Sequence, residues 1–320
     1  MGKILGISKE EREEGAAWMS SGYETILRCD ICDNSKTRLI DEKGRIVQCR
    51  ICGLKFVSHR PGQDKISEAY DWNYENCEGW GKLEPKSEFR YEARFNFLNR
   101  FVNEGRLLDV GAGLGEFLSQ AKRANKWQCF GTETSRYAIE FAKKEFGLEL
   151  SLGQFEDVKY HERFFDAVCF WHVLEHLPYP SIAIKETSRI LKDDGFLFIA
   201  VPNDSWLGRR HFFKNAVKKA INSSPLKGKL KLKKMYPAID EEGNKHLFYF
   251  TPWTLTRLLK KYGFEVNEYS VDYDYGEFRP ELKRKYIFDL LFYRFTGVNL
   301  SNAILIAAQK KKPQRTQRNK

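Results

Sequence analysis

The chain has 320 residues and a formal net charge of +11, with 42% hydrophobic and 30% charged residues. That composition excludes a disordered or fibrous chain and leaves room for one large domain and a small accessory module. No stretch reaches the roughly 18 uncharged apolar residues of a spanning helix, and the start MGKILGISKEEREEG has no apolar core of a secretion signal. A cytoplasmic protein with no transmembrane segment is expected.

Residues 1–25 are charged and without period, and read as a leader. Residues 26–60 carry short β-type runs, ILRCDIC and RIVQCRICGLKFV, and four of the seven cysteines. Cys29 and Cys32 are followed by sixteen residues and then Cys49 and Cys52, the spacing of a zinc ribbon. Four thiolates make a closed tetrahedral site, so the zinc expected here is structural. Residues 61–87, rich in Tyr, Trp and acids, read as a linker.

From residue 88 to residue 308 the pattern is that of one α/β domain. EFRYEARFNFLNRFV sets Phe89, Ala93, Phe97 and Phe101 on one helical face. Strands are predicted over Arg106–Val110, Gln128–Glu133, Ala167–Trp171 and Phe196–Val201, with helices over Glu116–Ala124, Arg136–Phe146, His172–Leu177 and Ser181–Leu191. Strands alternating with helices at this spacing predict a doubly wound, mostly parallel, seven-stranded sheet that binds ligands at the carboxyl ends of its strands. PWTLTRLLKKYGFEVNEYSV reads as helix, Gly263 stop and strand, and NAILIAA (Asn302–Ala308) as a buried strand.

Residues 203–245 and 273–300 read as insertions over the active edge, and residues 309–320 as a basic tail. The segment from Arg209 to Lys234 carries many Lys and Arg and no acid, and the end of the chain adds six more from Lys310 onward. Such charge favours an anionic partner, whether a nucleotide sugar, RNA or a lipid head group. The amphipathic FDLLFYRFTG adds peripheral contact with a membrane surface to the options, beside docking on the cap.

Between the first strand and its helix stands LLDVGAGLGEF, with Asp109 ending a buried run and Gly111, Ala112, Gly113 and Gly115 forming the loop. Glycines there let a ligand approach the backbone without a Cβ in the way. A dinucleotide loop would read GxGxxG, but Glu116 stands one place after Gly115, and a carboxylate at that helix N-terminus repels a pyrophosphate. S-adenosylmethionine has no phosphate, and its ribose diol calls for an acidic acceptor at the end of the next strand, where Glu133 stands.

Four blocks, LLDVGAGLGEF, GTETSRYAIEFAKKEFGLEL, GQFEDVKYHERFFDAVCFWHVLEHLPYP and LKDDGFLFIAVPN, resemble in order and spacing the class I S-adenosylmethionine-dependent methyltransferases, whose fold is Rossmann-like. The resemblance implies that Asp109 and the loop (Gly111, Ala112, Gly113, Gly115) lie along the methionine end. It also implies that Glu133, with Thr134, takes the ribose hydroxyls, and that Phe155, Glu156 and Asp157 border the adenine, with Trp171 at the end of its strand beside the cofactor. Gln154 departs from the family, where an Asp commonly follows the glycine.

His172, Glu175 and His176 form HxxEH, which on a helix would share one face. Three readings compete. One is the inverted pattern of a zinc peptidase. A second resembles methyltransferases in which Glu and His here, with a distant His such as His246, hold a divalent ion near the substrate. In the third, Glu175 and His176 position the helix while His172 faces cofactor or substrate. If an acceptor must lose a proton, His172 is the first candidate base, followed by His176 and His246, because imidazole titrates near neutral pH.

A ribbon ahead of such a domain resembles both the sugar C-methyltransferases of deoxysugar pathways and a group of ribosomal RNA guanine methyltransferases, with CRICGLKFVSHRP nearer the first. The leading expectation is therefore a methyltransferase acting on a small molecule or glycan, such as a nucleotide-linked sugar or surface-polysaccharide precursor. The alternatives are an RNA methyltransferase gripping RNA with the ribbon and basic insertion, and a non-catalytic ribbon scaffold.

Overall fold

The computed structural model describes residues 22–42, 45–76, 88–205, 246–272, 287–288, 290–295, 299, 301 and 303–312. Most of the expected leader, both insertions in large part, most of the basic tail and Cys77 lie outside the described residues.

The central sheet contains β6 (Gly105–Val110), β7 (Trp127–Glu133), β8 (Ser151–Leu152), β9 (Phe165–Trp171), β10 (Leu191–Pro202), β12 (Phe264–Asp272) and β13 (Ala303–Lys310). Its spatial order is β12-β13-β10-β9-β6-β7-β8. The strands from β6 to β10 pair in parallel, and β13 runs antiparallel to both β10 and β12. This is the doubly wound, mostly parallel seven-stranded sheet expected from the sequence.

The period-two alternation of each strand sends its side chains to two separate cores. Leu107, Ala167, Cys169, Trp171, Phe198 and Ala200 pack on one side with α2 (Glu88–Leu98), α3 (Glu116–Arg123) and α4 (Arg136–Phe146). Leu108, Val110, Val168, Phe170, Ile199 and Val201 pack on the other with α5 (Pro180–Ile190) and α6 (Pro252–Lys261). The helices start where their caps allow. Ser135 accepts from the Ala138 amide ahead of α4, and Thr251 and Thr254 form a reciprocal capping box with Pro252 in the first turn of α6.

The ribbon is built from β2 (Thr37–Asp41), β3 (Ile46–Cys49) and β4 (Lys55–Val57), with β1 (Tyr23–Thr25) and β5 (His59–Pro61) paired beside it. Its sheet is completed by β11 (Phe248–Tyr249), which comes from the far side of the chain and pairs antiparallel with β4. Cys29, Cys49, Cys52 and Phe56 thus share one core with Phe250, Leu255 and Leu258. Within the stretch read as a linker, residues Gln63–Asn76 form helix α1.

One predicted element is corrected. His172–Leu177 is not a helix: His172 takes a left-handed φ of 57°, and the chain makes a single turn in which the His176 amide donates to the Val173 carbonyl at 2.9 Å. A six-residue helix has little cooperative support, and Pro178 disfavours helical geometry at Leu177 just before it. The Glu175 carbonyl is instead taken by the amides of Leu247 and Phe248, at 2.8 and 3.1 Å. Strand β10 also starts earlier than expected, at Leu191 rather than Phe196.

Candidate active site and cysteine cluster

The sheet order turns at β6 and β9, so the loops after these strands open on one crevice. In the first, Gly111, Gly113 and Gly115 have φ of 66°, 55° and 83°. A Cβ on Gly111 would lie 2.7 Å from Cγ2 of Val173, one on Gly113 would lie 2.9 Å from the Tyr74 hydroxyl, and one on Gly115 2.9 Å from Leu148. Two of these neighbours matter for the site: Val173 belongs to the HxxEH turn, and Tyr74 comes from α1. A Gly111→Ala substitution combines left-handed strain with that clash and is expected to cost about 1–3 kcal/mol, seen as a lowered thermal midpoint; an unchanged midpoint would show that the turn gives way freely.

Glu133 links the two rims of the crevice. Its carboxylate accepts from the Gly113 amide at 2.8 Å, the Thr134 amide at 2.7 Å and the Ser135 amide at 3.1 Å. Burial pushes its carboxyl up, and these amide bonds oppose the shift. Asp109 is also buried; burial pushes it well above the ordinary range, with the Arg94 charge opposing, and its Oδ1 has no hydrogen-bond partner among the described residues. A glycine cradle with one orphaned buried carboxylate oxygen and one acidic bridge fits a cofactor carrying a cationic methionine end and a ribose diol.

Phe155 is buried edge-on against Phe170, and Glu156 beside it is partly covered, its carboxyl raised by burial. Gln154 donates to the Ser67 hydroxyl of α1 at 2.7 Å, so the departure from the family pattern is used to fasten α1 over this end of the crevice. Trp171 ends β9, buried edge-on to Phe117 with the Arg94 guanidinium over its ring at 5.3 Å.

The second loop carries the histidines. His172 is buried between two carboxylates, its Nε2 3.2 Å from Asp272 Oδ2 and its Nδ1 3.4 Å from Glu175 Oε1. Asp272 in turn receives both Nε and Nη2 of Arg94, at 3.0 and 2.6 Å. Burial opposes ionisation of Asp272, yet Arg94 and His172 overcome it and hold the carboxyl far below its usual range. Glu175 behaves alike: burial opposes, and the rings of His172, His176 and His246 outweigh it. His176 and His246 meet edge to face with ring centroids 4.9 Å apart, and ligand atoms of Glu175, His176 and His246 all lie within 4.8 Å of one another.

Residues missed by sequence reasoning are Arg94, Asp272 and Tyr74. Arg94 lies next to the apolar stripe of α2 but is itself buried, and Asp272 ends a β12 strand whose pairing is 30 or more residues away in the chain. Only an arginine beside Ala93 and Phe97 hinted at a buried charge.

The cysteine cluster is formed as its spacing implies. Cys29 and Cys52 sulfurs are 3.4 Å apart, Cys32 and Cys49 3.5 Å, and all four lie within 4.8 Å of one another. A tetrahedral ion with sulfur bonds of about 2.3 Å requires edges of about 3.8 Å, so the cluster can hold a metal with little movement. Cys29 and Cys52 share a proton across their contact, which lowers the Cys52 thiol and raises that of Cys29, so without an ion one of the two holds the proton that a metal would displace. Cys129 and Cys169 lie in β7 and β9 and are raised by burial, as packing residues are.

A doubly wound sheet whose first strand ends in a glycine cradle, bridged by an acid from the end of the second, defines the class I S-adenosylmethionine-dependent methyltransferases. The family model described as Methyltransferase domain matches residues 87–269, and the chain belongs to that family. It is 28% identical over 216 residues to an uncharacterized protein of Methanocaldococcus jannaschii, covering 67% of this chain and 93% of that one. It is 27% identical over 137 residues to a ubiquinone biosynthesis O-methyltransferase of Nitrosomonas europaea, covering 38% of this chain and 57% of the relative. A chain of the solved complex between the Haloferax volcanii Trm112 methyltransferase activator and a methyltransferase shares the fold, with a TM-score of 0.50 at 14% identity over 76% of this chain and 98% of that one. The protein is thus an S-adenosylmethionine-dependent methyltransferase. No described helix is long and apolar enough to cross a membrane.

Proposed function

We propose that this enzyme methylates an anionic small molecule or glycan, such as a nucleotide-linked sugar or surface-polysaccharide precursor, with zinc in the Cys29, Cys32, Cys49 and Cys52 cluster. The observation that carries the reading is the meeting of His246, just ahead of β11, with His176 and Glu175 of the turn after β9, whose Val173 packs against Gly111 of the glycine loop. S-adenosylmethionine supplies a methyl group already activated on a sulfonium. The protein's part is then to hold donor and acceptor in line and, for a hydroxyl acceptor, to take a proton.

Asp109 and the loop of Gly111, Ala112, Gly113 and Gly115 hold the methionine end, Glu133 and Thr134 the ribose, and Phe155, Glu156 and Trp171 line the crevice. His172 faces carboxylates with both ring nitrogens, so we assign it to orienting Glu175, and assign proton transfer to His176 or His246. The ribbon supports a small acceptor rather than RNA. Two of its cations are held largely buried in ion pairs within the protein, Lys55 with Asp204 and Arg60 with Glu24, and so do not face a phosphate backbone.

Two imidazoles and a carboxylate also suit a divalent ion with open positions, which would orient acceptor oxygens. The two versions of the site separate experimentally. His246→Ala is expected to lower kcat about 100-fold with cofactor affinity unchanged, as for loss of a general base. A metal version adds loss of activity on mild chelation that leaves the cysteine-bound zinc in place, and recovery when a divalent ion is returned. Labelled methyl groups from S-adenosylmethionine, followed into nucleotide-sugar, polysaccharide and RNA fractions of the host, test the acceptor. Label confined to RNA would overturn this proposal in favour of an RNA methyltransferase, whose binding would weaken steeply with salt.

A further inference from the structure

The cysteine cluster and the histidine pair are connected by one short segment, residues 246–250. On one side it completes the ribbon sheet: Phe248 stands opposite Phe56 and Tyr249 opposite Lys55, and the Val57 amide donates to the Leu247 carbonyl at 2.9 Å. On the other side the Leu247 and Phe248 amides donate to the Glu175 carbonyl, and the Phe250 carbonyl accepts from Asp204 at 2.9 Å. A two-residue strand has no stability of its own. Its position is set by the ribbon edge on one flank and the HxxEH turn on the other.

The ribbon edge in turn hangs on the cysteines. The Cys49 amide donates to the Leu54 carbonyl at 2.9 Å, and Leu54 leads directly into β4. Phe248 stacks between Phe56 and Phe250, at 6.2 Å from each, in the core that holds Cys29, Cys49 and Cys52. Lys55 adds a 2.8 Å ion pair to the largely buried Asp204. Units of about 40 residues or fewer do not hold a core without a metal, disulfide or partner surface. The ribbon has such a partner surface in the core it shares with Phe250, Leu255 and Leu258, and β3 and β4 are joined through the Cys49–Cys52 knuckle, whose geometry depends on what the four thiolates bind.

We infer that the metal held by Cys29, Cys32, Cys49 and Cys52 is the positioning element of the histidine site: it holds β4, β4 holds β11, and β11 keeps His246 beside Glu175 and His176. The cofactor crevice meets this chain of contacts where Gly111 packs on Val173 of the HxxEH turn, but its own frame is separate, since Asp109, the glycine loop and Glu133 are mounted on β6 and β7, which do not pair with the ribbon. Loss of the metal should then open the acceptor side and spare the cofactor side. The inference rests on the functional reading of the histidine pair, but the coupling itself is measurable without any acceptor.

The test is hydrogen exchange on the full chain with zinc and after its removal by a chelator, with zinc loss verified. Peptides covering 246–250 and 46–57 are expected to lose at least tenfold in protection, while those covering 105–133 keep theirs and S-adenosylhomocysteine affinity stays within about threefold. Unchanged protection at 246–250, or equal loss through 105–133, would overturn the inference. Coupling is reciprocal, so it can also be read from the other end. Phe248→Val, which trims the β11 contact with Phe56, should weaken zinc about tenfold in competition with a chromophoric chelator; undiminished zinc affinity would overturn the coupling. If both experiments succeed and His246→Ala leaves methyl transfer intact, the coupling stands and the assignment of the histidines falls.

Discussion

Asp272→Ala should destabilise the folded protein by about 3–5 kcal/mol, the usual cost of leaving one member of a buried ion pair behind. Arg94 is 3% exposed and gives both Nε and Nη2 to Asp272 Oδ2, and His172 directs Nε2 at the same oxygen. Removing the carboxylate strands the guanidinium in the interior. A double variant, Arg94→Met with Asp272→Leu, should recover most of the loss, because an apolar pair of similar volume has no charge to desolvate. Urea unfolding of the three proteins tests this; a single variant within 1 kcal/mol of wild type would mean that the pair is solvated.

The same pair has a signed pH dependence. The Asp272 carboxyl is depressed in the folded state, so its contribution is complete above the unfolded value of about 3.9 and is lost as pH falls toward the folded one. Asp109 and Glu133 are raised instead, and their effect runs the other way, favouring the folded state as they protonate. The difference in stability between wild type and Asp272→Asn isolates the first effect. It should shrink steadily below about pH 4.

Glu133→Ala should weaken S-adenosylmethionine by about 1,000-fold, the loss of two charge-assisted hydrogen bonds of about 2 kcal/mol each. The carboxylate has a second role that enlarges the effect, since it ties the Gly113 amide of one loop to the Thr134 and Ser135 amides of the next. Glu133→Gln keeps the shape but sets an amide group against those donors, and should retain more affinity than alanine while remaining well below wild type. Calorimetry separates the cases. Full cofactor affinity in Glu133→Ala would remove Glu133 from the site.

Local pattern carried much of this reading. The alternation of apolar residues in β6, β9 and β10 is complete within each strand, because a strand's two faces are set by its own period. The glycine loop is equally local: positive φ at Gly111, Gly113 and Gly115 is needed where a strand turns into a helix in five residues. The cysteine spacing is a property of two short knuckles. Where local rules were followed too far, they failed, as in the His172–Leu177 helix, which the β11 amides and Pro178 turn into a bend.

What the sequence by itself determined was the sheet class, the glycine turn after its first strand and the four-cysteine cluster, since each depends on residues within one turn, one strand or one repeated spacing. Only the tertiary structure decided that Arg94, His172 and Asp272 form one buried network, that α1 lies over the glycine loop, and that His246 comes to His176 on a strand borrowed by the ribbon. Those partners are 39 to 178 residues apart in the chain. Contacts at such separations arise from how the two cores and the ribbon pack, and packing leaves no periodic trace in any one segment.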